Sequence, residues 1–356
     1  MASHMKASAI AICCALSLAG GLKAATKAAE IYIVDVGHGD AAFVISPSGQ
    51  TLMLDAGPTG AAKRILAFMQ QNGIGKIDYL VVSHFEDDHM GAAPVIAGKV
   101  PILNWVDHGQ SIVYGKDDDW WKQRRGPWAK PGMGKRYDES FDIYRKAVSA
   151  GGKVLSSPLR GVPGAGAPNP ACAGIDRRAE DDAEDGQSAG VIVGLGEFRL
   201  AWLGDLTWNN ENRLFCPNNL VGTVDAYIIT HHGQSMPATL GDYYYGLSCC
   251  PPSEVHGLHP RVSILSLGSL GHREGTPDAM QTVGNSPGME DLWETQKVMQ
   301  GGERTTNPPD EFIANIGERT EQVPYIKITA NTDGSFTVMN SRNQFSKKYA
   351  ARAHPR

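Results

Sequence analysis

The chain has 356 residues, 42% of them hydrophobic and 20% charged, with a formal net charge of −5. Those proportions are ordinary for a globular protein with a large core. The charge leaves no chain-wide basic footprint, which excludes the plainest kind of dedicated nucleic-acid binder and keeps nucleic acid only as a substrate.

The first 25 residues predict a cloning remnant and a signal peptide. Met1 to His4 resembles a remnant, Met5-Lys6 is a basic start, and Ala7 to Leu22 is a short apolar region ending near Lys23-Ala24-Ala25. Such a segment is too short and too rich in small residues for a stable membrane span, so the mature protein is expected to be periplasmic or secreted. Cys13 and Cys14 would leave with it, and Cys172, Cys216, Cys249 and Cys250 remain. In an oxidising compartment an even number invites disulfides; Cys172 and Cys216, each in a Pro-rich loop, form the predicted pair. The pairing of the adjacent Cys249 and Cys250 stays open.

Residues 26–356 are read as one domain with an inserted loop around 109–136 and a C-terminal extension. Ile31–Val36, Ala42–Ile45 and Thr51–Leu54 predict an antiparallel meander. The helix that follows, Ala61–Gln71, has Ile65, Leu66, Phe68 and Met69 on one face and is closed by Asn72-Gly73. Strand Asp78–Ser83 comes next, then a helix after Gly91 and strand Pro101–Val106. An irregular stretch is expected up to Gly134. Its basic residues, Lys122 to Arg125 and Lys130 to Arg136, are interleaved with Trp120, Trp121, Trp128 and Tyr137. Two readings fit: a substrate-facing lid with stacking rings and cation sites, or an insertion that packs its own tryptophans.

A helix near Asp138–Ala150 and a strand at Lys153–Leu155 lead to surface loops at Gly161–Pro170 and Glu180–Asp185. Strands Gly190–Leu195, Glu197–Leu203, Val224–Thr230 and Arg261–Leu267, with helix Asn209–Leu214, predict a second sheet. The tail is expected to add a helix around Pro287–Gln300 and a hairpin of Tyr325–Thr329 with Phe336–Met339.

Chemistry concentrates where three of these strands end. His84, Glu86, Asp88 and His89 follow the first, Asp205 the second, and His231-His232 the third. In an extended segment His84 and Glu86 point to one side, so they can serve one metal ion while Asp88 and His89 serve a neighbour. Imidazole and carboxylate suit zinc or manganese, and thiolate, the mark of a structural zinc knot, is missing from the cluster. Asp205 could bridge two ions with its two oxygens. The tandem histidines could supply one ligand and one proton-transfer group.

The order of these motifs resembles the metallo-β-lactamase superfamily, and within it the branch of the ComEC nuclease domain and the phosphorylcholine esterases. Asp35-Val36-Gly37-His38-Gly39-Asp40-Ala41 is similar to that branch's opening motif, and Leu54-Asp55-Ala56-Gly57 to its Leu-Asp-x-Gly. His84-x-Glu86-x-Asp88-His89 is similar to His-x-His-x-Asp-His with glutamate in second place. Leu203-Gly204-Asp205 and His231-His232-Gly233 resemble the later motifs. The resemblance implies an α/β fold, an αβ/βα four-layer sandwich. It also implies a hydrolase with two divalent ions, Zn or Mn, held by His84, Glu86, Asp88, His89, Asp205 and His231.

In that reading a metal-bound hydroxide attacks the substrate, Asp88 and His232 act in catalysis, and His232 protonates the leaving group. The substrate class implied is a small or polymeric ester, a phosphodiester before any other. Carboxylic esters, lactones or β-lactams are the rival substrates, and a metal-free binding module is the rival to an enzyme. One departure stands out. Where typical members carry a histidine in a Gly-His-Thr loop, this chain has Glu184-Asp185-Gly186-Gln187, so Asp185 is a candidate replacement and a carboxylate-rich site favours harder ions. His108 is another candidate ligand. Asp35 and Asp40 are candidates for holding ligand histidines, and His272 and Arg273 for contacting substrate.

Overall fold

A computed structural model describes residues 14–15, 28–156, 166–267, 275–298, 307–317 and 322–352. The expected signal peptide, apart from 14–15, and His272 and Arg273 lie outside the described residues. Two sheets face each other. The first has nine strands in the order Ser346–Tyr349, Phe336–Asn340, Tyr325–Ala330, Ala29–Val34, Ala42–Ile45, Thr51–Leu54, Ile77–Val81, Ile102–Asp107 and Lys153–Ser156. The second runs Cys14–Ala15, Val191–Leu195, Phe198–Trp202, Ala226–Ile228, Val262–Leu265, Asp291–Gln296 and Ile313–Asn315.

Alternation along each strand builds the layers. Ile31 and Ile33 turn toward the second sheet, where they share a core with Leu200, Trp202, Ile228 and Ile264, while Tyr32 and Val34 turn outward. On that outer side Phe68, Trp105 and Tyr144 bring in helices Ala62–Gln71 and Met133–Ala150. Behind the second sheet, Ala201, Tyr227 and Leu265 pack on Leu214, Phe215, Val255 and Leu258 of helices Trp208–Phe215 and Pro252–Leu258. The arrangement is the αβ/βα four-layer sandwich expected. Among the described residues no helix is long and apolar enough to cross a membrane.

Three expectations are corrected. The stretch before Gly134 is not irregular: Asp118–Arg125 is an α-helix. Asp117 caps it by accepting from Trp120 N at 2.9 Å, acidic residues fill its first turn and basic residues its last, which complements the helix dipole. The helix expected at Pro287–Gln300 is instead the strand Asp291–Gln296, parallel to Val262–Leu265, and the helix lies earlier, at Pro277–Gly284. The sheet wins there because Trp293 fills the space between the two sheets, beside Phe312 and Phe345. The C-terminal hairpin is no appendage, since Tyr325–Ala330 pairs along all of Ala29–Val34 and makes the opening strand an interior one.

Cys172 and Cys216 form the predicted disulfide, and Cys249 and Cys250 are bonded to each other.

Candidate metal centre

Strands Ile77–Val81, Phe198–Trp202 and Ala226–Ile228 each release their chain at the carboxyl end onto one common edge. Ligands in such a place hang from rigid elements. Two close approaches shape that edge, the first between the two sheets and the second between loops of the nine-stranded sheet. A Cβ on Gly204 would lie 2.5 Å from Ser83 Cβ, and one on Gly39 would lie 2.1 Å from the Asp88 carbonyl oxygen. Both glycines have positive φ, so a side chain is excluded by space and by backbone alike.

Two groups of donor atoms result. His84, Glu86 and Asp185 offer atoms within 4.8 Å of one another, as do Asp88, His89, Asp205 and His232. A third set, Asp185, Asp205 and His231, joins them. Asp205 Oδ2 lies 3.2 Å from His89 Nε2, 3.4 Å from His232 Nε2 and 3.7 Å from His231 Nε2. Asp185 Oδ1 lies 3.6 Å from His231 Nε2, which puts a carboxylate where the sequence lacks the Gly-His-Thr histidine.

His231 and His232 both adopt left-handed backbone, with φ of 48° and 50°. Non-glycine residues avoid that region unless the surroundings hold them. Here the hold is a buried network: Tyr227 Oη accepts from Thr230 N at 2.9 Å, and Tyr227 Oη and Thr230 Oγ1 donate to Glu254 Oε1 at 2.9 and 2.8 Å. The turn sends the two rings to different donor groups. His232 spends Nδ1 on the Ser266 carbonyl at 3.1 Å and presents Nε2 to Asp88 and Asp205. In that geometry its Nε2 stands among the candidate ligand atoms.

Several of these atoms are buried without any hydrogen-bond partner: His84 Nε2, His89 Nε2, Asp185 Oδ2, Asp205 Oδ1, His231 Nδ1 and His232 Nε2. Such atoms are few in a folded protein, and a cluster of them on one edge fits cations that would satisfy them together; His231 faces that cluster through Nε2, so its Nδ1 stands apart from the set. The electrostatics agree. Burial alone would depress His89, yet the Asp205, Asp88 and Asp55 carboxylates hold it well above the ordinary imidazole range. Asp185 is pushed well up by burial and by Glu86, Asp181 and Asp205 beside it. Burial also raises Glu86, against the pull of Arg125.

Other predicted residues stand apart from these three donor sets, although Asp40 groups with Asp55 and His89. His108 Nε2 is 2.9 Å from Glu184 Oε1, its ring packs on Phe85, and it is in none of the donor groups. Asp35 does not reach a ligand histidine; it accepts from Gly37 N and Asn315 Nδ2 and lies 3.2 Å from Arg64. Asp40 accepts from Trp202 Nε1 at 3.3 Å and comes no nearer than 3.9 Å to His232.

Two residues were missed as parts of the site. Asp55 accepts from His89 Nδ1 at 2.5 Å and from Ser83 N and Oγ at 2.7 Å; its signal was the Leu-Asp-x-Gly motif ending a buried strand. Arg125 Nη2 reaches Glu86 Oε1 at 3.3 Å from helix Asp118–Arg125, and no spacing in the sequence announces it. His38, within the opening motif, places Nε2 3.0 Å from Asp88 Oδ2 at the solvent side.

Fold and donor set define the class: an αβ/βα four-layer sandwich with acid- and histidine-rich groups that could hold metal ions along one edge. Residues 34–183 match the Metallo-beta-lactamase superfamily. The chain is similar to UPF0173 metal-dependent hydrolases, at 36% identity over 72 residues to that of Cupriavidus metallidurans, covering 20% of this chain and 25% of the relative. A second, from Cupriavidus taiwanensis, is 30% identical over 99 residues, 27% of this chain and 33% of the relative. The chain thus spans a quarter to a third of the curated relatives it matches. Among solved structures it is similar to CmlA, a diiron β-hydroxylase from Streptomyces venezuelae (TM-score 0.40, 15% identity, 74% of this chain and 50% of that one). It is also similar to a long-form RNase Z from yeast (TM-score 0.40, 12% identity, 76% and 42%).

Proposed function

We propose that the protein is a metal-dependent hydrolase that takes two divalent ions, Zn²⁺ or Mn²⁺, and cleaves phosphodiesters. The observation that carries this reading is the convergence of buried donor atoms without hydrogen-bond partners, His84 Nε2, His89 Nε2, Asp205 Oδ1 and His232 Nε2 from three separate strand ends and Asp185 Oδ2 from the loop before Val191–Leu195. His84, Glu86, Asp185 and His231 would hold one ion, and Asp88, His89 and His232 the other, with Asp205 between them. When bound, such ions lower the pKa of water toward neutrality and stabilise the oxyanion of the transition state.

The protein's own residues fix the rest. Asp55 orients His89 so that Nε2 faces the donors, and Ser188 Oγ, 3.3 Å from His84 Nδ1, does the same for His84 while accepting from Asp205 N at 3.1 Å. His38 is the exposed imidazole at the mouth and is placed to hydrogen-bond a substrate oxygen beside Asp88. A periplasmic or secreted location is part of the proposal, supported by the Cys172–Cys216 disulfide.

The test is metal analysis with a substrate panel. The expected result is close to two transition-metal ions per chain and turnover of bis-p-nitrophenyl phosphate. Turnover of a lactone or a chromogenic β-lactam with none of the diester would replace the substrate assignment. Substantially less than one ion per chain after metal-replete purification would support a binding module instead.

A further inference from the structure

A cavity of about 580 Å³ opens beside the first donor group, between helices Asp118–Arg125 and Met133–Ala150. Its volume lies in the range of about 300–1,000 Å³ usual for small-molecule sites. Glu86 forms one end, Trp121 and Met133 part of the wall, and Arg125, Lys130 and Arg136 supply positive charge. The walls are preformed: Trp121 is 2% exposed and sits beneath the Arg125 guanidinium, so it closes the cavity and offers no ring face for stacking.

The cations differ in what they already do. Arg124, just outside, is consumed by Asp182 and by stacking on Trp120 at 3.9 Å. Arg125 is paired with Glu86, yet its buried Nε has no acceptor. Arg136 spends one N–H on the Pro131 carbonyl and lies near the Asp118 carboxylate, and Lys130 is in none of the ion pairs among the described residues. Asp87, the other acid in the lining, accepts from Thr59 Oγ1 at 2.6 Å and faces that partner. In a chain of net charge −5, a concave surface with unspent cations that starts at a metal-donor carboxylate is built for an anion.

We propose that this cavity is a subsite for a second anionic group of the substrate, a phosphate or carboxylate borne on the part that flanks the scissile bond. It rests on the hydrolase reading for what happens at the metal edge. Arg125 stands at the junction, and Lys130 and Arg136 take the added anion. The selected substrates are therefore diesters with a charged flank rather than neutral-flanked ones.

The experiment uses the full metal-replete chain and three compounds that are not hydrolysed: phenylphosphonate, 4-phosphonobenzoate and 1,4-phenylenediphosphonate. Equilibrium binding at low ionic strength is expected to be about tenfold tighter for the latter two, and the gain should shrink with added salt. Which of the two binds more tightly tells carboxylate from phosphate preference. The double variant Lys130→Ala, Arg136→Ala should lose the gain, whereas Lys130→Arg, Arg136→Lys should keep most of it. Both side chains are exposed, and a thermal melt checks that each variant folds.

Equal binding of all three compounds by the parent protein, or a gain that survives the alanine double variant, would overturn the subsite. A gain that behaves as expected in a protein that cleaves no phosphodiester, lactone or β-lactam would retain the subsite and remove the hydrolase reading.

Discussion

Asp55 and His89 are joined by a 2.5 Å contact between Oδ2 and Nδ1, both fully buried, and Asp55 also accepts from Ser83 N and Oγ. The carboxylate fixes the histidine's tautomer, so that Nε2, which has no other partner, faces Asp88 and Asp205. Asp55 itself sits at φ 53°, a left-handed position for a non-glycine residue, at the end of a core strand.

Replacing that acceptor should weaken metal binding without removing a ligand. Asp55→Asn is expected to lower metal affinity by about 10- to 100-fold, the range usual for partners that orient a ligand histidine. Competition against a chromogenic chelator measures it. An affinity within twofold of the parent would mean that His89 needs no orientation.

Asp205 reaches three histidines of both donor groups, so its loss should be felt by both ions. Asp205→Ala is expected to cut metal-dependent activity by more than about 100-fold, beyond the effect of losing an orienting partner, and to reduce metal content in two steps rather than one. Loss of a single ion with the other retained at full affinity would show that Asp205 does not bridge.

Glu86 stands where the resembling superfamily has histidine, and Arg125 balances its charge at 3.3 Å. Glu86→His should shift metal preference toward zinc, because imidazole is the softer donor. Pairing it with Arg125→Gln should restore affinity lost to the unbalanced guanidinium. An unchanged metal profile by elemental analysis would argue that Glu86 is not a ligand.

The metal-free protein should lose stability as pH rises above neutrality. His89 and His232 are held well above their ordinary value by the Asp205 and Asp88 carboxylates, burial notwithstanding. A raised imidazole stabilises the fold while the native state keeps a proton that the unfolded chain gives up near pH 6.5. That contribution is lost as pH climbs through the folded value. Below about 7, Asp181, raised to about 7 by burial, and Asp55, raised to about 6 by burial, act in the same direction. Thermal melts after chelation, taken from pH 7 to 9, should therefore show a falling midpoint, and melts with metal a flatter one. A midpoint that rises after chelation would sink this account.

The turn that presents His231 and His232 rests on Glu254, which accepts from Tyr227 and Thr230 and lies against Glu211; both carboxyls are raised, Glu211 well above the ordinary range. Glu254→Gln preserves every acceptor and should change stability by less than about 1 kcal/mol. Glu254→Ala leaves buried donors unmet and should cost about 2–4 kcal/mol, read by urea denaturation. Equal effects from the two substitutions would mean that the network does not support the turn.

Much of this molecule was legible in its sequence because it depends on local pattern. Short apolar runs marked the strands Ala42–Ile45 and Thr51–Leu54, and alternating apolar residues marked the final hairpin, at their observed places. Strand-end acids and histidines marked the edge where His84, Glu86, Asp88, His89, Asp205 and His231-His232 meet, since a ligand motif at a strand end is a one-dimensional signal. Asp185, too, was visible as a carboxylate standing where a histidine was missing, and it lies in two of the donor groups.

Long-range packing decided the rest. Asp291–Gln296 is a strand because a parallel neighbour and an inter-sheet slot for Trp293 outweigh its local preference. The Asp117 cap and the dipole-matched charges of Asp118–Arg125 were written locally, yet only the fold shows that this helix delivers Arg125 to Glu86. His232 took its place among the ligands because a buried network holds two adjacent residues in left-handed backbone and aims their rings apart, and no sequence spacing encodes that geometry.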